Sequence, residues 1–115
     1  MKSYFKFKTV SVTVSGDYFQ VMFHDGLDTE DEPYFFIQKQ FEFNDTCYFE
    51  CHNEKLIEHS KVKSALLSPN VLLLSYGTTS HQDVEIQFVM NGGTNFQELA
   101  SALREMIPNI QNTAQ

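Results

Sequence analysis

The chain has 115 residues, 42% apolar and 20% charged, the balance of a soluble globular domain rather than a disordered or membrane-embedded one. Eight basic against fifteen acidic residues leave a formal charge of −7, which repels phosphate backbones and anionic lipid headgroups and attracts cations. The basic residues form only short pairs, Lys6 with Lys8 and Lys61 with Lys63, so no nucleic-acid partner and no membrane partner is expected.

The first segment, MKSYFKFKTV, has charges through its opening residues and no continuous apolar run, which reads against a signal peptide. Val10, Val12 and Val14 alternate with Ser11 and Thr13, the pattern of a half-buried strand. Phe5 and Phe7 fall on the opposite parity. Either a bulge near Lys8 and Thr9 intervenes, or the two pieces belong to different faces. The SGD turn at 15–17, with Gly16 free to take positive φ, leads into a second strand over Tyr18 to Phe23, so a hairpin is predicted.

The stretch HDGLDTEDEPYFF then places Asp25, Asp28, Glu30, Asp31 and Glu32 within eight residues. An EF-hand loop needs ligands at positions 1, 3 and 5, glycine at 6 and Glu at 12, and neither the count from Asp25 nor that from Asp28 fits. A looser cation site, a solvated loop that discourages edge pairing, and a docking surface for a basic protein are the readings left. The five carboxylates are the candidate partner-binding residues, and no metal is expected.

After Pro33, YFFIQKQFEF from Tyr34 to Phe43 reads as a third strand, with the ND turn at 44–45 behind it. TCYFECH from Thr46 to His52 is a fourth. Cys47 and Cys51 on one strand would lie about 13 Å apart, too far for a disulfide, and two free thiols suit a reducing cytoplasm. With His52 and His59 they also invite a zinc reading, but Cys51 and His52 point to opposite faces of a strand, and core packing is the better account. EKLIEHSKVKSALL carries no clear period. Strands around Ile57 and around Val62 to Leu66 are favoured over an irregular helix.

SPN at 68–70 is a turn, and VLLLSY, apolar on both faces, is a central or covered strand. VEIQFVM from Val84 to Met90 alternates cleanly. The glycines of NGG at 91–93 form the turn from sheet to helix. Thr94, with Gln97 three residues on, opens a helix expected to run to Ile107, its apolar face formed by Phe96, Leu99, Ala100, Leu103 and Ile107. Pro108 stops it, and residues 110–115 are expected to fray.

No GxSxG, GxxxxGK[ST] or GxGxxG occurs, and neither cysteine opens a helix, so no catalytic apparatus and no cofactor are expected. The phenylalanines at 5, 7, 19, 23, 35, 41, 43 and 49 either fill a core under the helix or line a sheet around an apolar ligand. The predicted fold is α+β: one domain over 1–115, a curved antiparallel sheet or partial barrel of about six to seven strands, with the C-terminal amphipathic helix on its open face.

The order KFKTVSVTV, YFQVMF, an acidic gap, YFFIQKQFEF, YFECHNEKL, SPNVLLLSY, VEIQFVM and FQELASALREMI resembles a family of small bacterial immunity proteins encoded beside polymorphic toxin genes. The similarity spans residues 5–110. It implies a non-enzymatic protein that binds and neutralises a cognate toxin, and only the charge of the acidic loop corresponds among site features. CHNEKLIEH departs from the family pattern, which has a glycine-bearing aromatic turn there. The strand and helix order is also similar to that of pleckstrin-homology-like domains, a likeness of fold alone. A small apolar-ligand carrier and a subunit pairing through an exposed sheet edge are the competing classes.

Overall fold

Two sheets, not one, organise the chain. The computed structural model describes residues 2–25, 33–41, 46–77, 81–90 and 95–112. Its elements are β1 (Lys2–Lys6), β2 (Thr9–Val14), β3 (Tyr18–His24), β4 (Tyr34–Gln40), β5 (Cys47–Cys51), a 3-10 turn (Glu54–Leu56), β6 (Glu58–Ser60), β7 (Val62–Ser68), β8 (Val71–Tyr76), β9 (Gln82–Gln87), α1 (Phe96–Met106) and β10 (Gln111–Asn112). The first sheet has the order β1-β9-β8-β7-β10 and the second β2-β3-β4-β5-β6. The class is α+β, as the sequence predicts, but the single sheet of six to seven strands is divided into two five-stranded ones.

The parity change between Phe7 and Val10 marks that division. β1 runs parallel to β9, Lys2 opposite Asp83, whereas β2 pairs antiparallel with β3, Val10 opposite Phe23. Lys8 lies at the crossing, and its backbone N–H donates to Asp25 Oδ1 at 3.1 Å. The second sheet is an uninterrupted antiparallel meander, β2 to β6, and β7-β8-β9 form another in the first sheet. β8, apolar on both faces in sequence, is the middle strand there, as expected.

Between the sheets, aromatic rings meet in pairs. Phe49 of β5 stacks on Tyr76 of β8 with centroids 3.8 Å apart, Phe5 meets Phe35 at 5.4 Å, and Phe23 meets Phe88 at 5.3 Å. The Tyr76 hydroxyl donates to the Leu56 carbonyl at 2.7 Å, so the hydroxyl carried into this layer is satisfied. The phenylalanine-rich composition therefore serves the sheet-to-sheet contact, with Phe41 left half outside against Phe19 at 5.1 Å. Phe43 lies outside the described residues.

α1 buries Leu99, Ala100, Ala102, Leu103 and Met106 and lies across the inner side of β3 and β2. Its cap is Asn95, one residue after the predicted Thr94: Asn95 Oδ1 accepts from the Glu98 N–H at 2.9 Å, while Asn95 Nδ2 donates to Glu98 Oε1 at 3.1 Å. The forward bond is the one that Thr94 and Gln97 promise, but the return bond to Glu98 comes from the Asn95 side-chain amide and not from its backbone N–H. The other end meets the second sheet. Lys39 Nζ donates to the Glu105 carbonyl at 3.3 Å and the Cys47 thiol to that of Met106 at 3.4 Å.

Other segments differ from expectation. Ile57 is outside any strand, because Glu54–Leu56 makes a 3-10 turn capped by Asn53 before β6 begins. Of the tail expected to fray over 110–115, the described residues pack Ile110 on the core and pair Gln111 and Asn112 with Leu66 and Leu67. Among the described residues only Gly77 has positive φ, at 124°; the turn at Gly16 is closed by Ser15, whose N–H donates to the Tyr18 carbonyl. Among the described residues no helix is long and apolar enough to cross a membrane.

Candidate functional site

The outward face of the second sheet concentrates the aromatic and polar side chains that the core does not use. Alternation sends Phe35 and Ile37 of β4 inward and Tyr34, Phe36 and Gln38 outward; on β5 it sends Cys47, Phe49 and Cys51 inward and Tyr48 and Glu50 outward. The register sets Phe36 directly opposite Glu50 and Gln38 opposite Tyr48. Tyr34, Phe36, Tyr48 and Glu50 are each half-buried.

Glu50 is the centre of this group. The Tyr34 hydroxyl donates to Glu50 Oε2 at 2.6 Å and the Tyr48 hydroxyl to Glu50 Oε1 at 2.7 Å. Phe36 lies between the two tyrosines, 6.1 Å from Tyr34 in a stacked arrangement and 5.9 Å from Tyr48. Donation to Glu50, with burial second, pushes the Tyr34 hydroxyl up to about 12, and the same bond raises that of Tyr48. Both phenols stay protonated donors across the neutral range, and the carboxylate is held as an acceptor facing out of the sheet.

The margins of the face are polar. Gln38 Nε2 donates to Gln20 Oε1 at 3.0 Å, His24 Nε2 meets Ser11 Oγ at 2.9 Å and His59 Nε2 meets Thr46 Oγ1 at 2.9 Å. Gln38, Gln40, Tyr48 and His59 enclose an open groove of about 500 Å³. His24 pairs in register with Tyr34, so the described ends of the acidic segment, Asp25 and Pro33, adjoin this face. Asp25 itself accepts from the Lys8 N–H, a structural task at the crossing between sheets. Asp28, Glu30, Asp31 and Glu32 lie outside the described residues.

A second constellation lies on the outward face of the first sheet, where Lys2, Lys63, Ser75, Asp83 and the segment around Asn109 line a groove of about 550 Å³. His81 Nε2 is 2.8 Å from Asp83 Oδ1 and 3.1 Å from Ser75 Oγ, and Nδ1 faces Lys63 Nζ at 3.2 Å. A Ser-His-Asp relay needs serine and carboxylate on different ring nitrogens, and here they share one. The arrangement is a polar network, in which the Ser75 hydroxyl first and His81 next hold the Asp83 carboxyl below its usual range.

The cysteines and histidines considered for zinc are kept apart. Cys47 and Cys51 are buried free thiols facing the core, His59 faces outward beside Tyr48, and the His52 ring presents an edge contact to Phe5 at 5.9 Å. Among the described residues no three His, Cys, Asp or Glu side chains gather as a metal site would require. Neither the Glu50 cluster nor the His81 network was anticipated from sequence. The signal for the first was the shared parity of Tyr34 with Phe36 and of Tyr48 with Glu50; for the second it was the close spacing of His81 and Asp83 in one hairpin with Ser75. The chain matches no family model, no curated protein and no solved structure.

Proposed function

We propose that this chain is a non-enzymatic protein-binding domain of the immunity type, acting without a cofactor in the cytoplasm and capturing a basic partner such as a toxin domain. The observation that carries the reading is the outward face of the second sheet. Half-buried tyrosine and phenylalanine side chains around an oriented carboxylate are the composition of an interface core, where rigid rings give contact area at low entropic cost. The acidic segment begins and ends at the edge of that face, and a charge of −7 favours encounter with a cationic protein.

The two features divide the work. The carboxylates Asp28, Glu30, Asp31 and Glu32 accelerate encounter, and the ring cluster holds the complex once formed. The test uses the product of a toxin-like reading frame adjacent to the gene, with association and dissociation followed by stopped-flow fluorescence. The variant D28N/E30Q/D31N/E32Q leaves Asp25 at its structural post. At low salt its association rate falls by about tenfold or more, with dissociation nearly unchanged, and the difference shrinks as salt is raised. Unchanged association at low salt would rule out the steering role, and absence of any complex would rule out the immunity reading.

A further inference from the structure

We infer that Glu50, framed by Tyr34, Phe36 and Tyr48, is a receptor for a single arginine side chain of the partner. The inference rests on the binding role proposed for this face and specifies its chemistry. An ionised carboxylate offers about four acceptor positions, two on each oxygen. Here the Tyr34 hydroxyl occupies one on Oε2 and the Tyr48 hydroxyl one on Oε1. One position therefore remains on each oxygen, which is the requirement of a two-pronged guanidinium.

Charge and shape agree with this. None of the cations among the described residues forms an ion pair with Glu50, whereas Glu85 of the other sheet is taken by Lys2 at 3.3 Å. The protein thus keeps a carboxylate fixed by two hydroxyl donors, half-buried, and without a cation of its own among those residues. The Phe36 ring lies across the strand pair from Glu50 and the Tyr48 ring two residues along β5, and a planar guanidinium can lie against a ring face while its edge meets the carboxylate. A lysine ammonium is a point charge, more strongly hydrated, and cannot use both oxygens at once in that plane. Preference for arginine over lysine is the distinguishing expectation, since general acidity would attract both alike.

The test needs no partner protein. The isotopically labelled full chain is titrated with acetyl-Gly-Arg-Gly-amide and, separately, with its lysine counterpart, and backbone amide shifts are followed by NMR. The arginine peptide produces saturable shifts centred on Phe36, Tyr48 and Glu50, with an affinity about fivefold above that of the lysine peptide. E50Q, with an otherwise unchanged spectrum, abolishes the arginine preference, and Y34F/Y48F weakens it while leaving the charge in place. Equal shifts for the two peptides, or shifts confined to Asp25 and the residues beside it, would overturn the inference. Those results leave the partner-binding reading standing, because it is decided by complex formation with the toxin-like protein. Should E50Q unfold the chain, Y34F/Y48F alone decides: undiminished arginine preference there refutes the role of the hydroxyls in shaping the site.

Discussion

Cys47 and Cys51 show how far a residue's surroundings set its chemistry. Both sulfurs face the layer between the sheets, on either side of Phe49, and burial pushes the Cys47 thiol up to about 11 from an ordinary value near 9. Burial likewise raises Cys51, against the opposing pull of the Asn53 N–H. The nucleophilic form is the thiolate, so neither sulfur reacts readily at neutral pH in the folded chain. Iodoacetamide at pH 7.5 should leave both unlabelled in the native protein and label both in urea, as read by mass spectrometry. The same shift has a consequence for stability. The folded state holds the Cys47 proton more tightly than the unfolded chain, so this contribution is complete below about pH 9 and is lost as pH rises towards 11. Urea midpoints should therefore be flat through neutrality and fall above about pH 9, and a Cys47→Ala variant should show a smaller fall.

At the scale of the element, the helix and its two ends separate what sequence carries from what it does not. The helical period of Leu99, Ala100, Leu103 and Ile107 is visible in the chain, and all four are buried. The start is displaced by one residue because Thr94 with Gln97 and Asn95 with Glu98 satisfy the same capping rule equally well. Replacing Asn95 with Ala should cost about 1 kcal/mol in a denaturant melt, because the Glu98 N–H loses its acceptor. The other end is illegible. Lys39 falls on the inward parity of β4, after Phe35 and Ile37, where a lysine contradicts the pattern. Its partner is a carbonyl at the end of α1, 66 residues away in sequence, and cations at helix C-termini are favoured by the helix dipole. The Glu50 cluster is intermediate. Alternation tells that Tyr34, Phe36, Tyr48 and Glu50 face outward, but not which of them meet, since alternation alone leaves the register of two strands unfixed.

For the molecule as a whole, the decisive event is the passage of the chain from one sheet to the other at Phe7 and Lys8. The parity break in the sequence admits this as one of two explanations, and a single curved sheet was the simpler architecture. Only the pairing of β1 with β9, which joins the first and penultimate parts of the chain, decides between them. β1 covers the edge of β9 and presents Lys2 and Lys6 on the outer side, a common protection against edge-to-edge association. Removing residues 1–6 should expose β9 and cause concentration-dependent self-association in multi-angle light scattering. A truncated chain that stays monomeric at every concentration would show that β1 does not guard that edge.

The same pairing has a temporal side. The meander from β2 to β6 joins only neighbours along the chain, so it can assemble while later residues are still being added. Lys2 has to wait for Asp83. At roughly 5–20 residues per second on the ribosome, the opening strand spends several seconds without its mate, with Phe5 and Phe7 uncovered. A nascent chain of this topology therefore keeps β1 exposed to chaperones until β9 has emerged, while α1 and β10 still follow.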